Sequence, residues 1–422
     1  MREVKIAILG MGTVGSGIYR LIQNEKKRIE HKEGISLTVK KVLAKAYSIE
    51  IPDELKVSSI DDVVNDPEIE IVAEVMGGIA PAKEFIIKAL SAGKTVVSAN
   101  KELIARHWPE LEKAARETKA GFYYEASVGG GIPIIRAIWD SLQANSIDSV
   151  YGIINGTTNY ILTKMADEGR DFEDVLKEAQ GLGYAEANPS SDVDGFDSMY
   201  KLSILASLAF HARVPVEYIY REGITKITRE DIEVGRELGY EVKLLAIGKR
   251  EGNAIQMRVH PTMLPKDHPL ASIKGSFNSI FINGSAVGEM MFYGRGAGDL
   301  PTASALVSDM IYSLKQCEHK YSTFYNESNL SSEIIIENNW ETKVFIRMGV
   351  HDRPGVLANV ASILGKHNVS LESVLQKGKG KNYVPLIVVT HRAHEAAIRQ
   401  AIAEIEKLPD VVNVASCIRV EE

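Results

Sequence analysis

Residues 4–9, Val-Lys-Ile-Ala-Ile-Leu, lead straight into Gly10-Met11-Gly12-Thr13-Val14-Gly15, and an amphipathic stretch follows from 14 to about 30. Few folds accept that order. A short buried strand, a glycine turn and a helix bring unpaired N–H groups of the helix N-terminus to the strand's carboxyl end, where they attract a pyrophosphate. The first glycine permits the tight turn. The second lets the backbone approach the phosphates, and the third allows close helix–strand packing. Gly10, Gly12 and Gly15 are therefore candidate cofactor-binding positions, against the plain alternative of a turn that only resembles such a site. A second strand is expected at 37–45. Apolar runs at 69–76 and 95–99 bracket a helical segment at 81–92, and 122–126 reads as one more strand before Gly129-Gly130-Gly131. Strands and helices alternating in this way predict an α/β, doubly wound parallel sheet of the Rossmann kind. The acidic residue that would hold a ribose 2′-hydroxyl after the second strand is missing. Lys45 stands there instead and suits a 2′-phosphate, which favours NADP over NAD.

At 422 residues the chain is too long for one compact core. The middle, 133–295, mixes strand candidates at 149–154 and 254–260 with a long helix over 197–212, which reads as an α+β catalytic and oligomerisation domain. Residues 296–315 begin with glycines, become helical and are expected to pack back on the nucleotide domain, 1–132. A polar, aperiodic stretch at 316–342 reads as a linker. Beyond it, 343–422 follows the order βαββαβ of a small ferredoxin-like domain.

Bulk numbers exclude several classes. A net charge of −7 argues against a nucleic-acid or membrane-surface partner. No segment approaches the roughly 18 uncharged apolar residues of a membrane span, and the N-terminal residues run into a strand without a signal-peptide core, so a cytoplasmic location is expected. Cys317 and Cys417 are too few for a disulfide framework. Asn155-Gly156-Thr157 matches a glycosylation sequon, a chance match in a chain without an export signal.

Two further places carry chemistry. Ser98-Ala99-Asn100-Lys101 ends a strand and starts a helix capped by Asn100, which puts Lys101 where ligands of open parallel sheets bind. The second is Gly183-Tyr184-Ala185-Glu186 with Asp197 and Lys201. Asp197 and Lys201 share one helix face, and a lysine entering the apolar run 202–210 is expected to be desolvated, with a lowered pKa suited to acid–base work. Asp192, Asp194 and Asp197 superficially resemble a calcium loop, but the glycine falls at the fourth position and the twelfth residue is Ser203, so calcium is rejected. His211 reads as a core or capping residue, Trp108 and Trp139 as packing, and Lys26-Lys27-Arg28 as a solvated helix face.

Taken together, GMGTVGSG (10–17), MGG (76–78), SANK (98–101), EASVGGGIPI (125–134), NGTTNYIL (155–162), GLGYAEANPSSDVDGFDSMYKL (181–202) and GRGAGDLPTASALVSD (294–309) resemble the homoserine dehydrogenase family, in its long bacterial form with a C-terminal ACT domain. The resemblance covers essentially the whole chain. It implies NAD(P)H-dependent interconversion of L-aspartate 4-semialdehyde and L-homoserine, a step toward threonine and methionine. By that similarity Lys201 is the acid–base residue and Lys101 a second catalytic or cofactor-contacting lysine. Glu186 and Asp197 bind the substrate's amino end, and Thr13, Val14, Lys101, Gly183 and Gly298 line the nucleotide site. The family also carries a structural sodium ion on main-chain carbonyls, at positions matching Glu125, Val128, Gly130 and Ile132. His351-Asp352-Arg353-Pro354-Gly355-Val356-Leu357 and Asn368-Val369-Ser370 are similar to an ACT module, which implies an amino-acid effector, threonine, and pairing of subunits into a homodimer or homotetramer. A purely oligomerising domain is the alternative. No kinase-sized region precedes residue 1, so fusion to an aspartate kinase is not expected. Rival readings are a 2-hydroxy-acid dehydrogenase with an ACT domain, which needs an Arg, Glu and His arrangement not evident near the signature loop at 181–202, and a nucleotide-sensing regulator, which would not need Glu186, Asp197 and Lys201 together.

Overall fold

The structure is a computed structural model that describes residues 1–327, 334–376 and 383–421. Six parallel strands, β1 (Arg2–Met11), β2 (Ile35–Tyr47), β3 (Lys56–Val57), β4 (Ile69–Glu74), β5 (Thr95–Ser98) and β6 (Phe122–Tyr123), stand in the order β3-β2-β1-β4-β5-β6. The chain reverses direction across the sheet between β1 and β4, and that switch point opens a crevice at the strands' carboxyl ends. Helices Thr13–Glu33, Ala82–Ser91 and Lys101–Thr118 make the crossovers. The glycines of the first turn meet the steric demands read from the sequence. A Cβ on Gly15 would stand 2.1 Å from the Gly10 carbonyl oxygen and one on Gly10 2.8 Å from that of Val75, whereas Gly12 faces open space.

The strand expected at 122–126 stops at Tyr123, and Glu125–Ser127 coils into a 3-10 turn. The cause is tertiary: the Glu125 amide donates to Asp309 Oδ2 at 2.9 Å, drawing the chain off the sheet edge. Asp309 belongs to helix Asp299–Ser313, which lies back against Thr13–Glu33. Gly17 makes that approach possible, since a Cβ there would stand 2.8 Å from the Asp299 carbonyl oxygen. Ala303, Leu306 and Met310 complete the core around Ile6, Ile18 and Ile22.

The second sheet begins with Gly288–Arg295 at its edge, followed by Phe277–Gly284, Ile147–Ile153, Tyr240–Glu251 and Ala254–Pro265. Helices Gly156–Glu168 and Phe196–Phe210 pack against it. The C-terminal domain has the expected order, and its strands pair antiparallel in the sequence Val411–Val420, Glu341–Val350, Val384–Thr390, Leu371–Gln376. Its edge strand also pairs in parallel with Ala254–Pro265, through Thr262 with Arg419 and Met263 with Val420, so the two sheets are continuous. Strand Glu341–Val350 is buried on both faces for this reason. Val344, Ile346 and Met348 face the domain's own helices, while Phe345 joins the core of the middle domain.

Of the stretch read as a linker, residues 328–333 lie outside the described residues, as does Glu422 of the C-terminal domain. The rest packs closely. Tyr321 donates to the carbonyls of Ala115 and Ala120 at 3.1 Å each, Phe324 sits edge-on to Trp108, and Ile335–Glu337 adds a short strand beside Ala254–Gln256. Among the described residues, no helix is long and apolar enough to cross a membrane.

A buried ion pair holds the two sheets' domains together. Arg347 Nε donates to Asp231 Oδ1 at 2.7 Å and its Nη1 to Glu230 at 2.6 Å, while Ser416 Oγ also donates to Asp231. Asp231 is fully buried and Arg347 nearly so. Removing one partner strands the other charge. Arg347→Met is therefore expected to lower unfolding free energy by about 3 kcal/mol in urea denaturation, and Asp231→Asn in the same chain to recover part of the loss.

Candidate functional site

Helix Phe196–Phe210 is buried on nearly every side. Gly195, at φ +81°, takes the left-handed turn that carries the chain from Ser190–Val193 into it. Asp197 therefore enters in the first turn, 4% exposed, and Lys201 follows one turn later, 7% exposed. Lys201 Nζ donates to Asp197 Oδ2 and to the Ile154 carbonyl, both at 2.7 Å. Lys101, at the head of helix Lys101–Thr118, brings its Nζ to 3.0 Å from Asp197 Oδ1. Its side chain is 39% exposed, so it reaches the site from the solvent side.

Asn155 completes the cluster. It caps helix Gly156–Glu168, accepting from the Thr158 amide at 2.8 Å, and its Nδ2 donates to Asp197 Oδ2 at 2.9 Å and Asp192 Oδ1 at 2.7 Å. Burial pushes the Lys201 pKa down; Asp197 opposes the fall, and the charge of Lys101 reinforces it. Burial would raise Asp197, but Lys201 and Lys101 outweigh it and hold the carboxyl below its ordinary value. Lys101 is raised by Asp197, against burial. Asp192 is raised by burial and by the charge of Asp197. The arrangement is one buried carboxylate shared by two amines, of which Lys201 is the readier to lose its proton.

These groups form one wall of a cleft of about 570 Å³ between the parallel sheet and the middle domain. Thr13 and Val14 also line it, at a helix N-terminus that no side chain caps and whose first turn holds no acid. Gly183, at φ +76°, and Gly298, at φ +120°, also line it, and Glu186 presents an exposed carboxylate at its edge. The cleft thus gathers Thr13, Val14, Lys101, Gly183, Gly298, Glu186, Asp197 and Lys201. Gly10, Gly12 and Gly15 shape the turn behind it. Lys45 is exposed near the end of β2 and is not among the described cleft-lining residues.

The loop with Glu125, Val128, Gly130 and Ile132, where the resemblance implies a sodium ion, adjoins the cleft through Ala126 and Ser127. Glu125 uses its carboxylate on the amides of Ile135 and Arg136, at 2.8 and 2.7 Å, and burial with the charge of Asp309 pushes its pKa up to about 7. Its side chain is committed, so the loop has main-chain oxygens to offer. Two of these, on Glu125 and Ile132, already accept the amides of Val128 and Ile134. Among the described residues, no group of acidic, histidine or cysteine side chains is placed to hold a metal.

Asn155, Asp192 and Thr157 were not singled out as functional from the sequence. Thr157 lines the cleft and donates to the Tyr184 carbonyl at 2.6 Å, fixing the signature loop. The sequon match had concealed Asn155, which is too buried to be an acceptor of sugar. Asp192 was set aside together with the calcium pattern. His211 sits at the C-cap of its helix with φ +50°, and Trp108 is core, as read.

The site generates a stability prediction. Because the Asp197 pKa is depressed in the fold, its contribution is complete above the ordinary carboxylate value of about 3.9 and is lost as pH falls through the folded value. Asp197→Asn should cost about 3 kcal/mol near neutral pH. Thermal melts should show the gap to the parent narrowing below about pH 4.

Comparison with known proteins gives concordant results along the chain. A family profile described as homoserine dehydrogenase matches residues 133–311, one described as homoserine dehydrogenase, NAD binding domain, matches 10–125, and an ACT domain profile matches 344–410. The homoserine dehydrogenase of Bacillus subtilis is 40% identical over 100% of this chain and 99% of its own length, and that of Synechocystis 42% identical over 99% of each. A crystal structure of a homoserine dehydrogenase from Thiobacillus denitrificans superposes with a TM-score of 0.93, at 38% identity, over 100% of this chain and 99% of that one. A hyperthermophilic archaeal homoserine dehydrogenase in complex with NADPH superposes with a TM-score of 0.65, at 29% identity, over 75% of this chain and 100% of that one. With the glycine turn, the shared carboxylate and the C-terminal domain all accounted for, the chain belongs to the homoserine dehydrogenase family.

Proposed function

We propose that this protein interconverts L-aspartate 4-semialdehyde and L-homoserine with a nicotinamide cofactor, in the biosynthesis of threonine and methionine. The observation that carries this reading is the single cleft lined both by a buried Lys201, paired with Asp197 beside Lys101, and by an uncapped helix N-terminus. When bound, the cofactor supplies or takes the hydride. The chain's own groups do the rest. The N-terminus of Thr13–Glu33 receives the pyrophosphate, with Thr13, Val14 and Gly298 around it. In reduction the aldehyde oxygen gains negative charge, and the Lys201 ammonium stabilises that charge and delivers the proton. In oxidation the neutral amine takes the hydroxyl proton. Lys101 keeps its charge and holds Asp197 ionised, which in turn orients Lys201. Glu186, with Asp197, receives the substrate's ammonium.

NADP is favoured over NAD through Lys45, the exposed cation near the end of β2, and the NADPH complex of the archaeal relative supports a nicotinamide of that type. A structural sodium ion on the main-chain oxygens of Glu125, Val128, Gly130 and Ile132 belongs to the same reading, as do a cytoplasmic location and assembly into a homodimer or homotetramer. The ACT domain is read as a threonine sensor; the left-handed Gly355 before helix Val356–Lys366 leaves an uncapped N-terminus for a carboxylate. Equilibrium dialysis with labelled threonine tests that assignment, and lack of binding would favour a purely oligomerising role.

The primary assay follows nicotinamide absorbance with L-homoserine, using NADP and NAD in parallel, with and without threonine. Lys201→Ala should lower kcat by about 10³-fold while NADP binding stays nearly intact; near-normal turnover would refute the role. Glu186→Ala should raise the apparent KM for homoserine about tenfold, as expected for a lost charge-assisted contact, and leave the cofactor constant alone. A lowered Lys201 pKa also sets the pH dependence. Oxidation should rise with pH as the amine deprotonates, with a midpoint below the ordinary lysine value of about 10.4, and reduction should fall over the same range. Rate profiles in both directions check the sign.

A further inference from the structure

Glu74 is the last residue of β4, in register with Leu9 of β1 and Ser98 of β5, and its side chain is completely buried. A carboxylate at the centre of a parallel sheet is costly unless its oxygens are occupied. Here they are. Oε1 accepts the Met76 amide at 2.9 Å and Oε2 accepts the Ser98 hydroxyl at 2.7 Å. Ser98 Oγ in turn accepts the Asn100 amide at 3.1 Å. Asn100 caps helix Lys101–Thr118 through the Leu103 amide, and its Nδ2 donates to the Gly78 carbonyl at 2.7 Å. The bonds form a closed circuit. The turn after β4, with Gly77 and Gly78 both left-handed, and the turn after β5, which delivers Lys101, are fastened to each other through one carboxylate.

We propose that Glu74 is a positioning residue: its buried carboxylate ties the Met76–Gly78 turn to the Ser98–Asn100 turn and thereby sets Lys101 against Asp197. No atom of Glu74 enters the cleft, so it acts through Lys101. The inference rests on the reading of Lys101 as part of the active site. Glutamine has the same shape but one acceptor oxygen, so in Glu74→Gln either the Met76 amide or the Ser98 hydroxyl loses its acceptor and the circuit opens. The Lys101 ammonium is then held less closely to Asp197, and the charge state of Lys201 shifts with it.

A double-mutant cycle separates this role from simple structural support. kcat and KM are measured for the parent, Glu74→Gln, Lys101→Ala and the double variant, with NADP affinity by fluorescence titration and folding by thermal melts. Glu74→Gln is expected to lower kcat about tenfold with NADP affinity within about twofold of the parent, and to add less than about twofold in the Lys101→Ala background. An equal loss in both backgrounds, or no loss in the parent, overturns the proposal. If Lys101→Ala itself retains full turnover, the reading of Lys101 falls instead. Should Glu74→Gln fold poorly, Ser98→Ala opens the same circuit with a smaller change and is judged by the same non-additivity.

Discussion

The polar cluster in the cleft is arranged around the carboxylate of Asp197. A lone charge in a helix this thoroughly buried would be unsupportable, and a single buried ion pair would barely recover its desolvation cost. Asp197 instead receives three donors, from Lys201, Asn155 and Lys101. The balance is uneven by design of position. Lys101 sits half in solvent and keeps its proton easily, whereas Lys201 is enclosed and pays for its charge in lost hydration. Two chemically identical side chains on one acid are thus driven apart in proton affinity, Lys201 downward by burial and by the charge of its neighbour, Lys101 upward by the charge of Asp197.

That carboxylate also explains why the domains must meet where they do. Lys101 comes from just beyond the end of β5, Asn155 from the second residue after strand Ile147–Ile153, and Asp197 with Lys201 from a helix packed on the second sheet. The contact between the parallel sheet and the middle domain is secured from below. Arg136 pairs with Asp309 at 2.5 Å, and Glu125 reaches both the Asp309 carboxyl and the helix starting at Ile134. Helix Asp299–Ser313 is the hinge pin of this assembly, because it belongs by sequence to the far side of the middle domain and by packing to the nucleotide helix.

What could be read from the sequence was what is written locally. The glycine turn, the Asn100 cap, the Asp197–Lys201 spacing and the βαββαβ order each depend on a few neighbouring residues, and each stands in the fold. Strands Tyr240–Glu251, Phe277–Gly284 and Gly288–Arg295 went unrecognised. The first is covered on both faces, so it lacks the alternation that marks a half-exposed strand. Asn155 and Asp192 were missed for a different reason. Nothing near either residue in the chain says that a buried carboxylate from a separate helix will stand beside them. Glu74 belongs with these, since nothing in the apolar run 69–76 says that two turns will fold over its acid.

The continuous second sheet puts a condition on any control by the C-terminal domain. An effector changes activity only by preferring one of two arrangements of the protein. Strand Val411–Val420 is hydrogen-bonded to Ala254–Pro265, that strand to Tyr240–Glu251, and that one to Ile147–Ile153, after which Ile154 offers its carbonyl to Lys201. Sheet ladders resist sliding, because a slip by one residue turns every side chain to the wrong face. The buried pairs Arg347–Asp231 and Arg258–Glu421 pin the junction further. A rearrangement within one chain therefore has little freedom to act by shearing the ladder, and movement of the second sheet as one body, with helix Phe196–Phe210 carried on it relative to Lys101, is the motion the bonding leaves open.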